Sequence, residues 1–129
     1  MEQTNTIVIA DDSEMIAKAL GFMIKKAGYT VLSADDGKNA LNFFDERNID
    51  LLITDLNMPN MDGIELIRKI RSKESYHYMP VLLFVADDDT QRKELIETSG
   101  ATMLFDKKDI NGKILPTIKS ILSLWNCCT

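Results

Sequence analysis

Short apolar runs alternate with longer segments of helical spacing along this chain, and few architectures accommodate that alternation. The runs are rich in β-branched and aliphatic side chains, and several lack polar alternation, as is typical of parallel strands covered on both faces. They comprise residues 7–10, 29–32, 51–54, 81–85 and 102–105. Strands in strict alternation with helices predict an α/β, doubly wound (βα)5 fold, with a five-stranded parallel sheet and helices on both faces.

Capping residues indicate where the intervening helices begin and end. Ser13 can cap the first helix and Gly28 can end it, because a serine hydroxyl accepts a backbone N–H and glycine tolerates positive φ. Asp36 opens the second helix, and Asp62 opens the third as part of a capping box. The last two helices are expected over residues 90–98 and 111–125. The basic residues near the end of the third helix are interpreted as a solvated face: Arg68, Lys69, Arg71 and Lys73.

The length and net charge of the chain limit the kinds of function that it can have. With 129 residues, the chain is predicted to form a single domain over residues 1–129. The net charge of −5 argues against direct nucleic-acid binding, and no apolar run approaches the roughly 18 residues of a membrane span. The polar N-terminus does not resemble a signal peptide. Cys127 and Cys128 are too close for an ordinary disulfide, so we expect reduced thiols in a frayed tail and a cytoplasmic location.

Polar residues follow the predicted strands at one edge of the sheet. In open parallel sheets, ligands bind outside the carboxyl ends of the strands, where the strand order reverses. The three acids at residues 87–89 are interpreted as a solvated loop and helix start. The residues expected to converge at the edge are Asp11, Asp12, Asp55, the acids at residues 87–89 and the segment 106–108.

Three carboxylates cannot share one pocket without compensation. Two like charges about 4 Å apart repel by roughly 4 kcal/mol at an effective dielectric constant of about 20. Oxygen ligands without a nearby histidine or cysteine favour a hard ion, so Mg²⁺ is predicted ahead of zinc. Lys107 supplies a fixed positive charge. A carboxylate beside both cations can act as a nucleophile toward a phosphoryl group.

The segment 55–63, with the sequence DLNMPNMDG, is the most specific motif in the chain. Together with Asp11, Asp12 and Lys107 at their spacings, it resembles the receiver domain of two-component response regulators, and in particular the single-domain chemotaxis type. The resemblance extends from about residue 6 to residue 124. It implies a flavodoxin-like strand order of 2-1-3-4-5 and a phosphorylation-dependent signalling function.

The resemblance also implies a role for each site residue. Asp55 is the expected phospho-acceptor, and Lys107 is expected to pair with the phosphoryl group. Asp12, Asp55 and the backbone carbonyl of Asn57 are expected to ligate Mg²⁺ directly, whereas Asp11 acts largely through water. Family members take phosphate from a phosphohistidine on a histidine kinase or phosphotransfer protein, and they catalyse their own phosphorylation and dephosphorylation. They commonly signal to a downstream protein through the surface of the fourth helix, fifth strand and fifth helix.

Three positions depart from the family pattern. Val85 stands where the family has threonine or serine, whereas Ala86 keeps the small residue that follows. The missing hydrogen bond to a charged group is worth about 1.5–3 kcal/mol, comparable to a typical allosteric coupling of about 1–3 kcal/mol. Because Leu104 also replaces an aromatic switch partner, we expect phosphorylation with a weak or rerouted response. Lys108 replaces a proline, so we expect a trans Lys107–Lys108 bond and some displacement of Lys107.

Two alternatives to a responsive switch stay open. A pseudo-receiver, a binding module that no longer responds to phosphate, is favoured by Val85 and Leu104 but opposed by the intact acidic residues and Lys107. A Mg²⁺ phosphatase with an aspartyl nucleophile is disfavoured, because Asn57 stands where such an enzyme needs an acid.

Overall fold

The computed structural model describes residues 5–86 and 93–128, in which strands and helices alternate as predicted. The strands are β1 (Thr6–Ala10), β2 (Thr30–Ala34), β3 (Leu51–Asp55), β4 (Val81–Val85) and β5 (Met103–Asp106). The helices are α1 (Glu14–Lys26), α2 (Gly37–Leu41), α3 (Gly63–Arg71), α4 (Lys93–Glu97) and α5 (Ile110–Cys128). Every neighbouring strand pair is parallel, in the order β2-β1-β3-β4-β5, which confirms the predicted fold class and strand order.

The sheet is covered on both faces because successive strand residues point to opposite sides. Val8 and Leu52 pack on one face with buried residues of α2, α3 and α4. Ile9 and Ile53 pack on the other face with buried residues of α1 and α5. All five residues of the central strand β3 are buried, so the carboxyl end of this strand is held rigidly between the two helical layers.

The predicted caps form at the helix starts. Side-chain oxygens of Ser13, Asp36 and Asp62 accept backbone N–H groups in the first turns of α1, α2 and α3, at 3.4, 2.7 and 2.8 Å respectively. Gly28 follows α1 with a φ of 105°, as expected for a glycine that ends a helix. These caps confirm where the first three helices begin and where α1 ends.

The structure differs from the predicted helix bounds toward the C-terminus. The acids at 87–89 and the predicted start of the fourth helix at Thr90 lie outside the described residues, and α4 occupies part of the predicted segment. Helix α5 begins ahead of Pro116 and continues through Cys128, so the expectation of a frayed tail was wrong over that length. Within the described ranges, no helix combines the length and apolar character needed to cross a bilayer.

Arg71 does not belong to a solvated face, so that prediction was wrong for this residue. Its half-buried guanidinium joins the end of α3 to the segments that precede β4 and β5. The group can do this because it presents five N–H donors in a planar fork. The backbone carbonyls that accept from it belong to Tyr76, His77, Met79 and Gly100.

Candidate phosphoryl-transfer site

The register of the sheet brings the predicted polar residues to one edge. Ala10 lies opposite Thr54 across β1 and β3, so the residues that follow each of them, Asp11 and Asp55, emerge side by side. Val85, the last residue of β4, lies opposite Asp106 of β5. The residues after β5 therefore leave the sheet at the same edge as the acids.

Three carboxylates meet at this edge. One ligand oxygen each from Asp11, Asp12 and Asp55 can be chosen so that all three lie within 4.8 Å of one another. Asp11 and Asp55 are only 2% and 4% exposed, whereas Asp12 is open to solvent. Such a set, with two buried members and one exposed member, can bind a cation that enters from solvent.

The carboxylate of Asp55 is oriented by two donors. Its Oδ1 lies 2.8 Å from the ammonium Nζ of Lys107 and accepts the backbone N–H of Leu56 at 2.8 Å. Both contacts are charge-assisted hydrogen bonds, which are stronger than neutral ones. The Lys107 side chain is mostly buried, so its position is constrained as well.

One oxygen of the Asp11 carboxylate is buried without a hydrogen-bond donor among the described residues. Its Oδ1 accepts the backbone N–H of Ser13 at 2.8 Å, but among the described residues nothing donates to its buried Oδ2. Burial raises the pKa of Asp11, the hydrogen bond from Ser13 opposes this, and the nearby charge of Asp55 raises the pKa further. A buried acceptor without a partner is costly, and a hard cation beside the three carboxylates would satisfy it. The residues present therefore fit a Mg²⁺ ion.

The remaining predicted positions lie around this cluster. Asn57 is exposed on the loop that follows β3, and Val85 and Ala86 are half-buried at the end of β4. Leu104 is 47% exposed on β5. The three acids at residues 87–89 lie outside the described residues.

Lys107 opens a short 3₁₀ turn (Lys107–Asp109) directly after β5. The described residues contain no cis peptide bond, so the trans Lys107–Lys108 bond is confirmed. The Lys107 ammonium lies 2.8 Å from Oδ1 of Asp55, and the expected displacement of Lys107 stays a prediction. Asp106 caps this turn by accepting the N–H of Lys108 at 3.0 Å, which gives the segment a hydrogen bond where the family has proline.

Sequence reasoning missed one contact beside the site. The side-chain amide of Asn60, on the loop after β3, donates to Oδ2 of Asp36 at 2.7 Å. Asp36 was expected only to cap α2, and no role was expected for Asn60. The asparagine after proline signals a turn, but its partner depends on how two loops distant in sequence meet.

Comparison with known proteins agrees with the geometry of the site. The family model described as "Response regulator receiver domain" matches residues 7–118. The chemotaxis protein CheY of Pseudomonas aeruginosa is 36% identical over 96 residues, which cover 74% of this chain and 76% of that protein. The CAI-1 autoinducer sensor kinase/phosphatase CqsS of Vibrio cholerae is 34% identical over 95 residues, which cover 73% of this chain but only 14% of that protein.

A similar solved structure is the signal receiver domain of a signal transduction histidine kinase from Syntrophus aciditrophicus. It has a TM-score of 0.86 and 27% identity, and the match covers 93% of this chain and 91% of that one. The chemotaxis protein CheY4 of Vibrio cholerae has a TM-score of 0.84 and 28% identity, and the match covers 92% of this chain and 99% of that one. The chain therefore belongs to the response regulator receiver domain family of two-component signalling.

Proposed function

We propose that this domain accepts a phosphoryl group on Asp55 from a phosphohistidine of a histidine kinase or phosphotransfer protein. Asp12, Asp55 and the backbone carbonyl of Asn57 would hold Mg²⁺, with Asp11 acting largely through water. The single observation that carries this proposal is the Asp55 carboxylate, which pairs with Lys107 at 2.8 Å beside two further acids. The proposal takes residues 1–129 as one receiver domain, in the cytoplasm.

The transfer is a displacement at phosphorus. An oxygen of Asp55 forms a bond to phosphorus while the bond from phosphorus to the donor's imidazole nitrogen breaks, and that electron pair stays with the imidazole. Lys107 places its ammonium where it neutralises charge on the transferred oxygens. When bound, Mg²⁺ would supply further positive charge to the same oxygens.

The surface of α4, β5 and α5 is the proposed contact for a downstream protein. Three large apolar side chains on α4 and β5 support this, because they are exposed by 44–47%. Large apolar side chains left exposed to solvent are a common feature of protein association sites. The three are Leu95, Met103 and Leu104.

Acetyl phosphate with Mg²⁺, followed by intact-protein mass spectrometry, tests the proposal without a known kinase. The parent protein is expected to gain the mass of one phosphoryl group, and EDTA should prevent the gain. Asp55→Asn should remain unmodified, because an amide oxygen is a poor nucleophile. Modification of Asp55→Asn to the parental extent, or none in the parent, would contradict the assignment of Asp55.

A pseudo-receiver is the second candidate, and it is favoured by Val85 and Leu104 at the two positions through which the family normally responds. In that case phosphate on Asp55 would have no effect on the binding of a downstream protein. A parent protein that gains phosphate without any structural response would favour this candidate.

A further inference from the structure

The loop from residue 56 to residue 62, between β3 and α3, has a tightly defined backbone. The N–H of Gly63 donates to the carbonyl of Leu56 at 2.8 Å and closes the loop. Within it, the N–H of Met61 donates to the carbonyl of Pro59 at 2.7 Å, across an Asn60 with a φ of 69°. A three-residue turn with positive φ at its centre is rare and strained, and asparagine tolerates such a φ better than most residues.

Strain of this kind persists only where the surroundings hold it. A residue in a sparsely populated backbone region costs on the order of 1–3 kcal/mol. The side-chain amide of Asn60 supplies one restraint, because it donates to Oδ2 of Asp36 at 2.7 Å. Asp36 is 8% exposed, and its Oδ1 is occupied by the N–H of Asn39 at 2.7 Å. Hydrogen bonds from Asn39 and Asn60 hold the pKa of Asp36 below its ordinary value, so the contact is charge-assisted.

Gly37 supplies a second restraint next to the first. A Cβ atom at this position would lie 2.5 Å from the backbone carbonyl oxygen of Met61. The first turn of α2 therefore packs directly on the loop backbone, one residue beyond Asn60. Together these contacts fasten the loop to the turn between β2 and α2.

The loop that these contacts restrain begins directly after Asp55, the proposed phospho-acceptor. Leu56 begins the loop, and its N–H donates to Oδ1 of Asp55 at 2.8 Å. Asn57, whose carbonyl is a proposed Mg²⁺ ligand, follows directly. Asp36 and Asn60 lie outside the acidic cluster, but the backbone that they restrain includes both the donor that orients Asp55 and the carbonyl of Asn57.

We propose that Asp36 and Asn60 are positioning residues, which hold the loop after β3 in the conformation that presents the Asn57 carbonyl to Mg²⁺. This inference rests on the proposed function. According to this inference, the hydrogen bond from Asn60 to Asp36 increases the affinity of the site for Mg²⁺. This effect is separate from any contribution of the hydrogen bond to the stability of the fold.

Two substitutions remove the contact while sparing the local backbone. Asp36→Ser keeps a capping hydroxyl for α2 but is too short to reach Asn60, and Asn60→Gly keeps the tolerance of positive φ but has no amide. Asp36→Asn is the conservative variant, because its one amide oxygen can still cap α2, while its NH2 group can donate to the side-chain oxygen of Asn60 once that amide turns over. Asp35→Ser is the matched control, since it removes the same charge from an exposed neighbour whose carboxylate accepts from the Asn39 side chain at 3.1 Å.

Mg²⁺ affinity and acetyl phosphate kinetics are measured on all four variants, the parent protein and the Asp36→Ser/Asn60→Gly double variant. We expect Asp36→Ser and Asn60→Gly to weaken Mg²⁺ binding about threefold to tenfold, below the roughly 10- to 100-fold loss seen when a direct partner of a metal ligand is removed. The half-saturating Mg²⁺ concentration should rise, while the phosphorylation rate at saturating Mg²⁺ stays near the parental value. The double variant should be no worse than the poorer single variant, and Asp36→Asn should retain part of the affinity.

Amide hydrogen exchange in the metal-free protein gives a readout that needs no bound metal. Exchange at Asn57 and Met58 should be faster in Asp36→Ser and Asn60→Gly than in the parent and Asp35→Ser. If the parent binds Mg²⁺ and both variants bind within twofold of it, the positioning role is overturned and the proposed function stands. If the parent binds no Mg²⁺, the proposed function fails, and unchanged exchange in the variants would then overturn the restraint of the loop as well.

Discussion

Asp11 is a buried acid beside two others, with only one of its oxygens hydrogen-bonded within the described part of the chain. Its pKa is raised above the ordinary value of 3.8, chiefly by burial. The folded state therefore binds this proton more tightly than the unfolded state does. It follows that the free energy of unfolding of the metal-free protein falls as pH rises from about 4 through the pKa of folded Asp11.

The substitution Asp11→Asn tests whether the buried charge of Asp11 destabilises the metal-free protein. The substitution removes a buried charge and keeps an oxygen for the N–H of Ser13, so we expect the metal-free protein to gain about 1–3 kcal/mol at neutral pH. Its stability should also change less with pH between about 4 and 7, and added Mg²⁺ should stabilise it less than it stabilises the parent protein. Urea unfolding in EDTA over a pH series measures this, with the exposed Asp12→Asn as the control. A less stable metal-free Asp11→Asn would contradict the interpretation.

The sequence predicted the acids and the amine of the site because parallel topology determines where strand ends lie. Asp11, Asp55 and Lys107 need only the element order to be brought together. The contact from Asn60 to Asp36 was beyond such reasoning, because it depends on the positive φ of Asn60 and on how two loops meet. The partial burial of Arg71 was missed for a similar reason, since its acceptors are carbonyls of loops whose path no periodicity predicts.

At the scale of elements, the start of α3 is packed against the end of β3. A Cβ atom on Gly63 would lie 2.2 Å from the backbone carbonyl oxygen of Asp55. The approach is backbone to backbone, so no side chain can turn aside to relieve it. The residue that opens α3 is thereby coupled to the position of the acceptor.

Gly63→Ala should therefore destabilise the protein by about 1–3 kcal/mol through overpacking and should impair phosphorylation of Asp55. Gly112→Ala in α5 is the matched control, because its added Cβ meets no atom within 4 Å. That control should stabilise the protein by about 0.5–1 kcal/mol, as expected for alanine in place of glycine in a helix. Urea unfolding and the acetyl phosphate assay check both variants. Equal stability of the two would refute the coupling.

We propose that the end of β4 determines whether phosphorylation of Asp55 changes the conformation of the rest of the domain. Val85 is half-buried and has no hydroxyl to donate to a phosphoryl oxygen. We expect beryllofluoride with Mg²⁺ to shift parental NMR signals mainly near Asp55, and Val85→Thr to extend the shifts to α4, β5 and α5. Val85→Ile is the control for a change of size without a hydroxyl. Shifts over that whole surface in the parent protein would contradict the expectation.

At the scale of the whole molecule, a hydrophobic core lies on each face of the sheet, and the central strand β3 is fully buried between the two cores. The fold was predictable because apolar runs, helix caps and strict alternation agree with one another. The element bounds were less predictable: β2 extends to Ala34, and α5 continues to Cys128. Pro116 is the seventh residue of α5, past the first turn in which the missing N–H of proline needs no partner, yet the helix continues to Cys128.

The fold thus gathers negative charge at one edge, and the proposed function requires a divalent cation to offset it. Titration of isotope-labelled, metal-free protein with Mg²⁺, followed by amide NMR, measures this at each residue. We predict saturable shifts consistent with one site at Asp11, Asp12, Asp55 and Asn57, with much weaker binding in Asp55→Asn. Shifts that do not saturate, or that are no larger at these residues than at the exposed Asp45, would contradict the magnesium site and the function built on it.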